Sequence, residues 1–471
     1  MQKRLEKSGI TRFALSMMLS MSLVGLLAPA LMASGTSRII PAVPTLTLRV
    51  NRTTVFDGQC VVVTAVVKTP AGTPIAGVKI RATDNGKPWC ASETTLASGV
   101  AHLLLPLPEV GNNAIAIRCG KVVSTPVTVL VKRRKFKIIT DPKHLIGMEY
   151  ETWFGPGYAQ WGHEEAEPVL GHYSSLDARV LRQQTLWFNQ MGINFVELDW
   201  TNNLTKPFPD SAARECIASN NVLFRLYANM RQHPKIVFLM GPEHNSWLNH
   251  ATPYTGPWFK KQLNYVYAHY INSRKYRGIY LHYLHKPLLL LYLNGPRFAR
   301  PPTIHDARFT IRYVGAWLEF TKEQRYGVWS WYDQKATPTF HHGKAEALTV
   351  ASGYHAVNPP GKGLNNWLSP DAGGKNYGAT YRTQWRVAEK YRPRFLFLCQ
   401  WNEFEPPDQY NVNPGDKEPR PVKIDINANQ AKKAKCPIAD IHAWLRKTKC
   451  GPHHRHSSGQ RAAATIMLAG M

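Results

Sequence analysis

The residues best placed to do chemistry are carboxylates at the ends of apolar runs. The run that begins at Phe395 is of strand length and stops at Trp401-Asn402-Glu403-Phe404-Glu405, with Pro406 and Pro407 directly behind. A continuous apolar run suits a strand buried on both faces, as in a parallel sheet covered by helices. Neither proline can donate to a strand ladder, so the strand must end there. Glu403 and Glu405 are therefore expected at the C-terminal end of a buried strand, the end that carries the chemistry in α/β barrels. Similar strand ends supply Glu149, Glu151 and Trp153, then Glu197, Asp199 and Trp200, then Glu243, Trp331, Tyr332 and Tyr354. Acids interleaved with Trp and Tyr suit a sugar, whose C–H faces pack on rings and whose hydroxyls bond to carboxylates and amides such as Asn402. Glycosidic cleavage takes two carboxyl groups flanking the bond. A Glu beside Trp can have its pKa raised and serve as the acid. No nucleophilic serine elbow, Walker loop or metal-ligand spacing competes, so neither a cofactor nor a metal is expected.

The elements that must hold these residues follow from strand–helix alternation after residue 138. Eight strands are predicted: Ile146–Trp153, Ile193–Trp200, Ile236–Gly241, Leu288–Asn294, Phe309–Trp317, Gly327–Tyr332, Leu348–Tyr354 and Phe395–Trp401. The clearest helix follows the first strand; Ser174 or Ser175 caps it and Gly192 ends it. Trp258–Ser273 and Tyr381–Tyr391 are further helices, and short connections such as Trp317 to Gly327 imply stunted ones. Eight strands at this length fit a TIM (β/α)8 barrel over 138–450. A doubly wound open sheet is the alternative; it usually brings a Gly-rich phosphate loop, which this stretch lacks.

Ahead of the barrel, residues 45–132 read as all-β, with β-branched runs such as Cys60–Val67 and an Asn85-Gly86 hairpin turn. This segment resembles a bacterial immunoglobulin-like sandwich, with Pro70-Ala71-Gly72-Thr73-Pro74 as a turn typical of such domains. The resemblance implies a spacing or binding role and an inter-sheet disulfide between Cys60 and Cys119. A second disulfide is expected between Cys436 and Cys450, which flank a predicted last helix at Ile438–Arg446. Residues 1–33 read as a secretory signal peptide, with a basic start, an apolar run from Phe13 to Leu31 and small residues at Ala28-Pro29-Ala30. An uncleaved anchor is the alternative. Secretion, or a periplasmic or cell-surface location, is the expectation. Residues 451–471 read as a disordered, basic, His-rich tail. Lys and Arg number 58 against 31 Asp and Glu, a formal charge of +27. In an exported chain this points away from nucleic acid, to a solvated basic face first, and otherwise to an acidic habitat or an anionic cell surface or glycan.

The barrel segment, about 144–410, resembles glycoside hydrolase families 99 and 71, endo-acting α-mannosidases and α-1,3-glucanases. The similarity lies in Gly147-Met148-Glu149-Tyr150-Glu151-Thr152-Trp153-Phe154-Gly155, Pro168-Val169-Leu170-Gly171-His172-Tyr173-Ser174-Ser175, Lys286-Pro287, Gly353-Tyr354 and Asn402-Glu403-Phe404. It implies a (β/α)8 fold, a glycan substrate and a catalytic role for Glu403. Family 99 carries a second glutamate three residues further on, where this chain has Pro406. Glu405, Asp408, Glu243 and Glu151 are the candidates for that second carboxylate. Two non-enzymatic readings stand beside hydrolysis: a glycan-binding barrel with a degenerate site, and a structural surface protein.

Overall fold

The structure, a computed structural model, describes residues 43–135, 141–155, 168–201, 211–241, 257–293, 304–316, 323–332, 336–351, 379–399 and 401–402. The predicted signal segment, the tail, the helix at Ile438–Arg446 and the Cys436–Cys450 pair lie outside the described residues.

Nine strands come first: β1 (Thr45–Val50), β2 (Thr54–Phe56), β3 (Cys60–Lys68), β4 (Lys79–Asp84), β5 (Lys87–Thr94), β6 (Val100–Pro106), β7 (Gly111–Cys119), β8 (Val122–Val123) and β9 (Val127–Lys132). One sheet has the order β1-β3-β6; the other runs β2-β9-β7-β4-β5, with β8 on β7. The two-residue period of a strand buries Val61, Val63, Ala65 and Val67 on one face of β3. They share a core with Ile80, Ile115, Ile117, Val129 and Val131 of the second sheet. Asn85 and Gly86 turn the β4–β5 hairpin at positive φ, and the Asn85 Oδ1 accepts from Ala114 N at 2.9 Å.

The disulfide expected between Cys60 and Cys119 is not formed; both thiols are free. Asp57 N bonds to Lys132 O and Gly111 pairs with Val131, so β7 starts at the end of the sheets where Cys60 lies. Cys119 then lies at the far end of β7, about 26 Å along the strand. A disulfide tolerates Cα atoms no more than about 7 Å apart. Strand order alone suggested the pair; strand direction excludes it.

The barrel sheet contains eight parallel strands in chain order: β10 (Leu145–Tyr150), β11 (Phe195–Trp200), β12 (Lys235–Met240), β14 (Lys286–Leu293), β15 (Thr310–Ala316), β16 (Trp329–Tyr332), β18 (Lys344–Ala351) and β19 (Phe395–Cys399). β19 pairs back onto β10, with Leu145 opposite Phe395. Two short strands, β13 (His282–Tyr283) and β17 (Thr339–His341), pair antiparallel with β14 and β18. The sheet is a near-closed barrel whose seam lies between β16 and β18. There Thr349 Oγ1 donates to Ser330 O. Glu346 of β18 takes Arg312 Nη2 of β15 at 2.7 Å and Trp329 Nε1 of β16 at 2.8 Å, tying both sides of the seam together.

Alternate strand residues point to two different cores. Phe195, Val237, Leu239, Leu288, Leu290, Trp329, Phe395 and Phe397 fill one cluster, inside the barrel. Val196, Leu198, Phe238, Leu289, Leu291, Leu396 and Leu398 belong to the other, beneath the helices. Those helices are α1 (Ala178–Met191), α2 (Ser211–Ala228), α3 (Pro257–Val266) and α4 (Ala379–Tyr391). Helix α2 was not expected from the sequence. Its mean hydropathy is near neutral and its polar residues, such as Ser219 and Asn220, are buried, so no simple apolar stripe marks it. Helix α3 is shorter than expected, because Tyr267–Ile271 widens into a π turn closed by Asn272 N to Tyr267 O at 2.8 Å. In the short Trp317–Gly327 connection a 3-10 turn, Glu323–Tyr326, stands where a helix would be. No described helix is long and apolar enough to cross a membrane.

Asp177, not Ser174 or Ser175, caps α1, accepting from Arg179 N at 2.9 Å. Ser175 Oγ accepts instead from Phe154 N at 3.2 Å. Gly192 ends the helix at φ 81°. The same helix docks the N-terminal sheets. The Gly58 carbonyl accepts from Gln183 Nε2 at 2.9 Å and from Trp187 Nε1 at 3.0 Å, and Arg182 Nε donates to Pro108 O at 3.1 Å.

Gly147 sits where an added Cβ would lie 2.2 Å from the Phe195 ring. Gly147→Ala is expected to cost about 1–3 kcal/mol of stability by overpacking, read as a lower urea midpoint. A companion Phe195→Leu change should recover part of that loss; a Gly147→Ala midpoint equal to wild type would show that the ring moves freely.

Candidate active site

The C-terminal ends of β10 and β11 put four acids on or beside the barrel's inner face. Phe195 belongs to the inner cluster, so Glu197 and Asp199, two and four residues on, share its face. Glu197 is in register with Glu149 of β10, and Glu151 lies just past that strand. All four carboxylates are buried, each at 2% exposure or less. One oxygen each of Glu149, Glu151 and Asp199 lie within 4.8 Å of one another.

Neutral donors hold this arrangement. Trp331 Nε1 of β16 donates to Glu149 Oε1, and the Cys399 thiol of β19 donates to Oε2 at 2.9 Å. Asn402 clasps the backbone of Glu151, accepting from its N at 3.0 Å and donating to its O at 2.8 Å. The same Nδ2 donates to the Tyr173 hydroxyl at 2.8 Å. Trp401 N bonds to Glu149 O at 3.1 Å, prolonging the β19–β10 pairing. Thr152 Oγ1 donates to Asn220 Oδ1 of α2 at 2.7 Å, which fixes the loop after β10. Asp199 Oδ1 accepts from Thr201 N at 2.5 Å. Glu197 Oε1 has no hydrogen-bond partner among the described residues.

Burial is the main force on the acids of β11. It pushes Glu197 well above the carboxylate range, and the neighbouring Asp199 charge adds to the effect. Burial also lifts Asp199 to about 6, against the pull of its hydrogen bonds to Thr201. Both acids are therefore held protonated to higher pH than an ordinary carboxylate.

Of the residues picked from sequence, Glu151 and Asp199 meet here, and Trp331 stands half-buried against Glu149 and edge-on to Tyr292 at 4.9 Å. Trp200 does not line the mouth. It follows inward-facing Asp199, so it points outward, fully buried against Phe238 at 5.0 Å. Trp401 likewise packs on Trp187 and Phe188 of α1, and Trp153 is buried in the outer core. Asn402 spends its amide on Glu151 and Tyr173, which makes it a brace for the site. Tyr332 ends β16, its side chain outside the described residues. Glu403, Glu405, Glu243 and Tyr354 also lie outside the described residues. The sequence reading missed Cys399 and Tyr173. Period-2 spacing from Phe395 and Phe397 marks Cys399 as inward, whereas nothing local marks Tyr173. Glu149, Glu151 and Asp199 come together from two strands, without any ligand spacing along the chain.

No family model matches the chain, and no curated protein does. Among solved structures, the GH99 endo-alpha-mannosidase from Bacteroides thetaiotaomicron aligns at 14% identity and TM-score 0.43, over 66% of this chain and 99% of that one. The same enzyme in complex with BIS-TRIS-Propane aligns at 14% and 0.42, over 65% and 97%. A C-terminal fragment of intimin aligns at 22% and 0.17, over 18% and 33%.

The raised acids set a pH dependence of stability. The folded chain holds a proton on Asp199 up to about pH 6, whereas the unfolded chain releases it near 3.8. This contribution is full below pH 3.8 and is lost as pH rises through 6. Asp199→Asn is expected to abolish it, so the variant should gain on wild type between pH 4 and 7, on the order of 2–3 kcal/mol. Urea unfolding of both proteins across that range checks the slope; parallel curves would mean that Asp199 ionises normally.

Proposed function

We propose that the chain is a glycoside hydrolase that cleaves a polysaccharide or cell-surface glycan at the mouth of a (β/α)8 barrel. The observation that carries this reading is the cluster of buried carboxylates at the ends of β10 and β11, with a half-buried Trp331 beside it. Glycoside cleavage needs one carboxyl group protonated at working pH and a second ionised. Glu197 and Asp199 have the raised pKa that suits a proton donor. Glu149, held by two donors, is the carboxyl we assign to the partner role.

Glu403 is the second member of the proposed machinery. It directly follows Asn402 in the sequence, and Asn402 is fastened to the Glu151 backbone. Glu405 is the adjoining candidate. Glu243, Tyr332 and Tyr354 complete the proposed sugar-binding wall. In this reading residues 1–33 export the chain, the N-terminal sheets act as an immunoglobulin-like spacer, and the +27 charge draws the protein to an anionic surface or glycan.

The purified chain should hydrolyse one of α-mannan, α-1,3-glucan or an acidic polysaccharide. Glu403→Gln should lower the rate about a thousandfold while glycan affinity and thermal midpoint stay as they are, because the change removes a proton-transfer group and keeps its shape. Undiminished turnover in Glu403→Gln would take that residue out of the mechanism. Glycan binding without hydrolysis by wild type would replace the enzyme with a lectin-like barrel.

A further inference from the structure

The geometry points to a second use of the acid cluster: Glu149, Glu151 and Asp199 form a site for one hard divalent cation, of the calcium or magnesium class. Their three oxygens lie within 4.8 Å of one another. Ligands of one ion with metal–oxygen distances of about 2.4 Å can lie no further apart than that, so the three oxygens can share an ion. The donor set is all oxygen, which favours a hard ion over zinc or copper.

A cluster of acids could be no more than a crowded strand end. Glu197 argues otherwise. It is 1% exposed, faces inward between Phe195 and Asp199, and stands in register with Glu149, yet its Oε1 has no hydrogen-bond partner among the described residues. An ion in the cluster, or water bound to that ion, gives this oxygen a counterpart. A buried polar oxygen without a partner is otherwise destabilising. The barrel shows the alternative solution elsewhere: Glu346 is buried too, but Arg312, Trp329 and Tyr283 occupy both its oxygens.

The ligands are also held from outside. Trp331 and Cys399 fix the Glu149 carboxylate, Asn402 fixes the Glu151 backbone, and Thr201 fixes Asp199. Such braces orient ligands without competing for the ion's charge. Three protein oxygens leave further coordination positions for water or for vicinal hydroxyls.

The test reads ion binding, so it stands whether or not the chain cleaves a glycan. The full chain, stripped with a chelator, is titrated with CaCl2 and MgCl2 by calorimetry at pH 7. Terbium(III) serves as a luminescent calcium substitute, excited through tryptophan. One ion per chain is expected, with sensitised terbium emission because Trp331 adjoins the site. Asp199→Asn and Glu149→Gln should each weaken binding at least tenfold; Glu109→Gln, in the β6–β7 connection, should leave it unchanged. Absence of saturation by either metal up to about 10 mM, tenfold above the weakest extracellular calcium modules, overturns the proposal. So does binding that survives both site variants. If those variants fail to fold, wild type still decides: a calcium isotherm without tryptophan-sensitised emission puts the ion away from Trp331 and refutes the site.

Discussion

Double burial governs this molecule. A parallel strand in a nearly closed sheet has the barrel interior on one face and helices on the other, so almost none of its residues touches water. Phe195, Val196 and Leu198 on β11, or Phe395 through Leu398 on β19, satisfy that demand with apolar side chains. Any polar group set into such a strand must find a partner or change its charge state. Glu346 takes the first course, meeting Arg312, Trp329 and Tyr283 across the seam. Desolvation pushes its pKa up, but the bonds from Arg312 and its charge prevail and hold the carboxyl below its usual range. Glu197 and Asp199 take the second. The contrast separates an acid that closes the sheet from acids available for chemistry.

The braces of the site are drawn from distant parts of the chain. Glu149 is on the first barrel strand, Trp331 on the sixth and Cys399 on the eighth, while Asn402 reaches back to Glu151 from just past the last strand. The barrel topology makes the first and last strands neighbours, so the two ends of the domain assemble one site. Glu346 does the corresponding task at the seam, from β18 to β15 and β16.

Much of this was legible in the sequence because two-sided burial leaves a plain mark. All eight parallel strands appear at the predicted runs, and the acids at the ends of the first two are the ones brought together. Each error has a physical reason. Trp200 and Trp401 adjoin real site residues in sequence, but side chains alternate along a strand, so adjacency at its end puts the next residue on the other face. Cys60 and Cys119 sit on plausible strands, yet a pattern of strands does not state which end of the sheet each residue reaches. Ser174 and Ser175 have the right chemistry for a helix cap; Asp177, two residues nearer the first turn, takes the position. Helix α2 hid because its buried face carries Ser219 and Asn220, which bond to the loop after β10.

The junction at Gly58 has a consequence for how the chain can be divided. One carbonyl of the N-terminal sheets accepts from both Gln183 and Trp187, and Gly58 has φ 79° with Leu186 and Gln190 packed where a Cβ would stand. Trp187 in turn lies against Trp401, the residue before the clasp on Glu151. A cut near residue 132 would therefore strip two buried donors on α1 of their acceptor and unroof a ring that backs the last strand. Sequence divides the chain into a spacer and a barrel, but mechanically the first is the outer wall of the second. The two halves are built to melt as a single cooperative body.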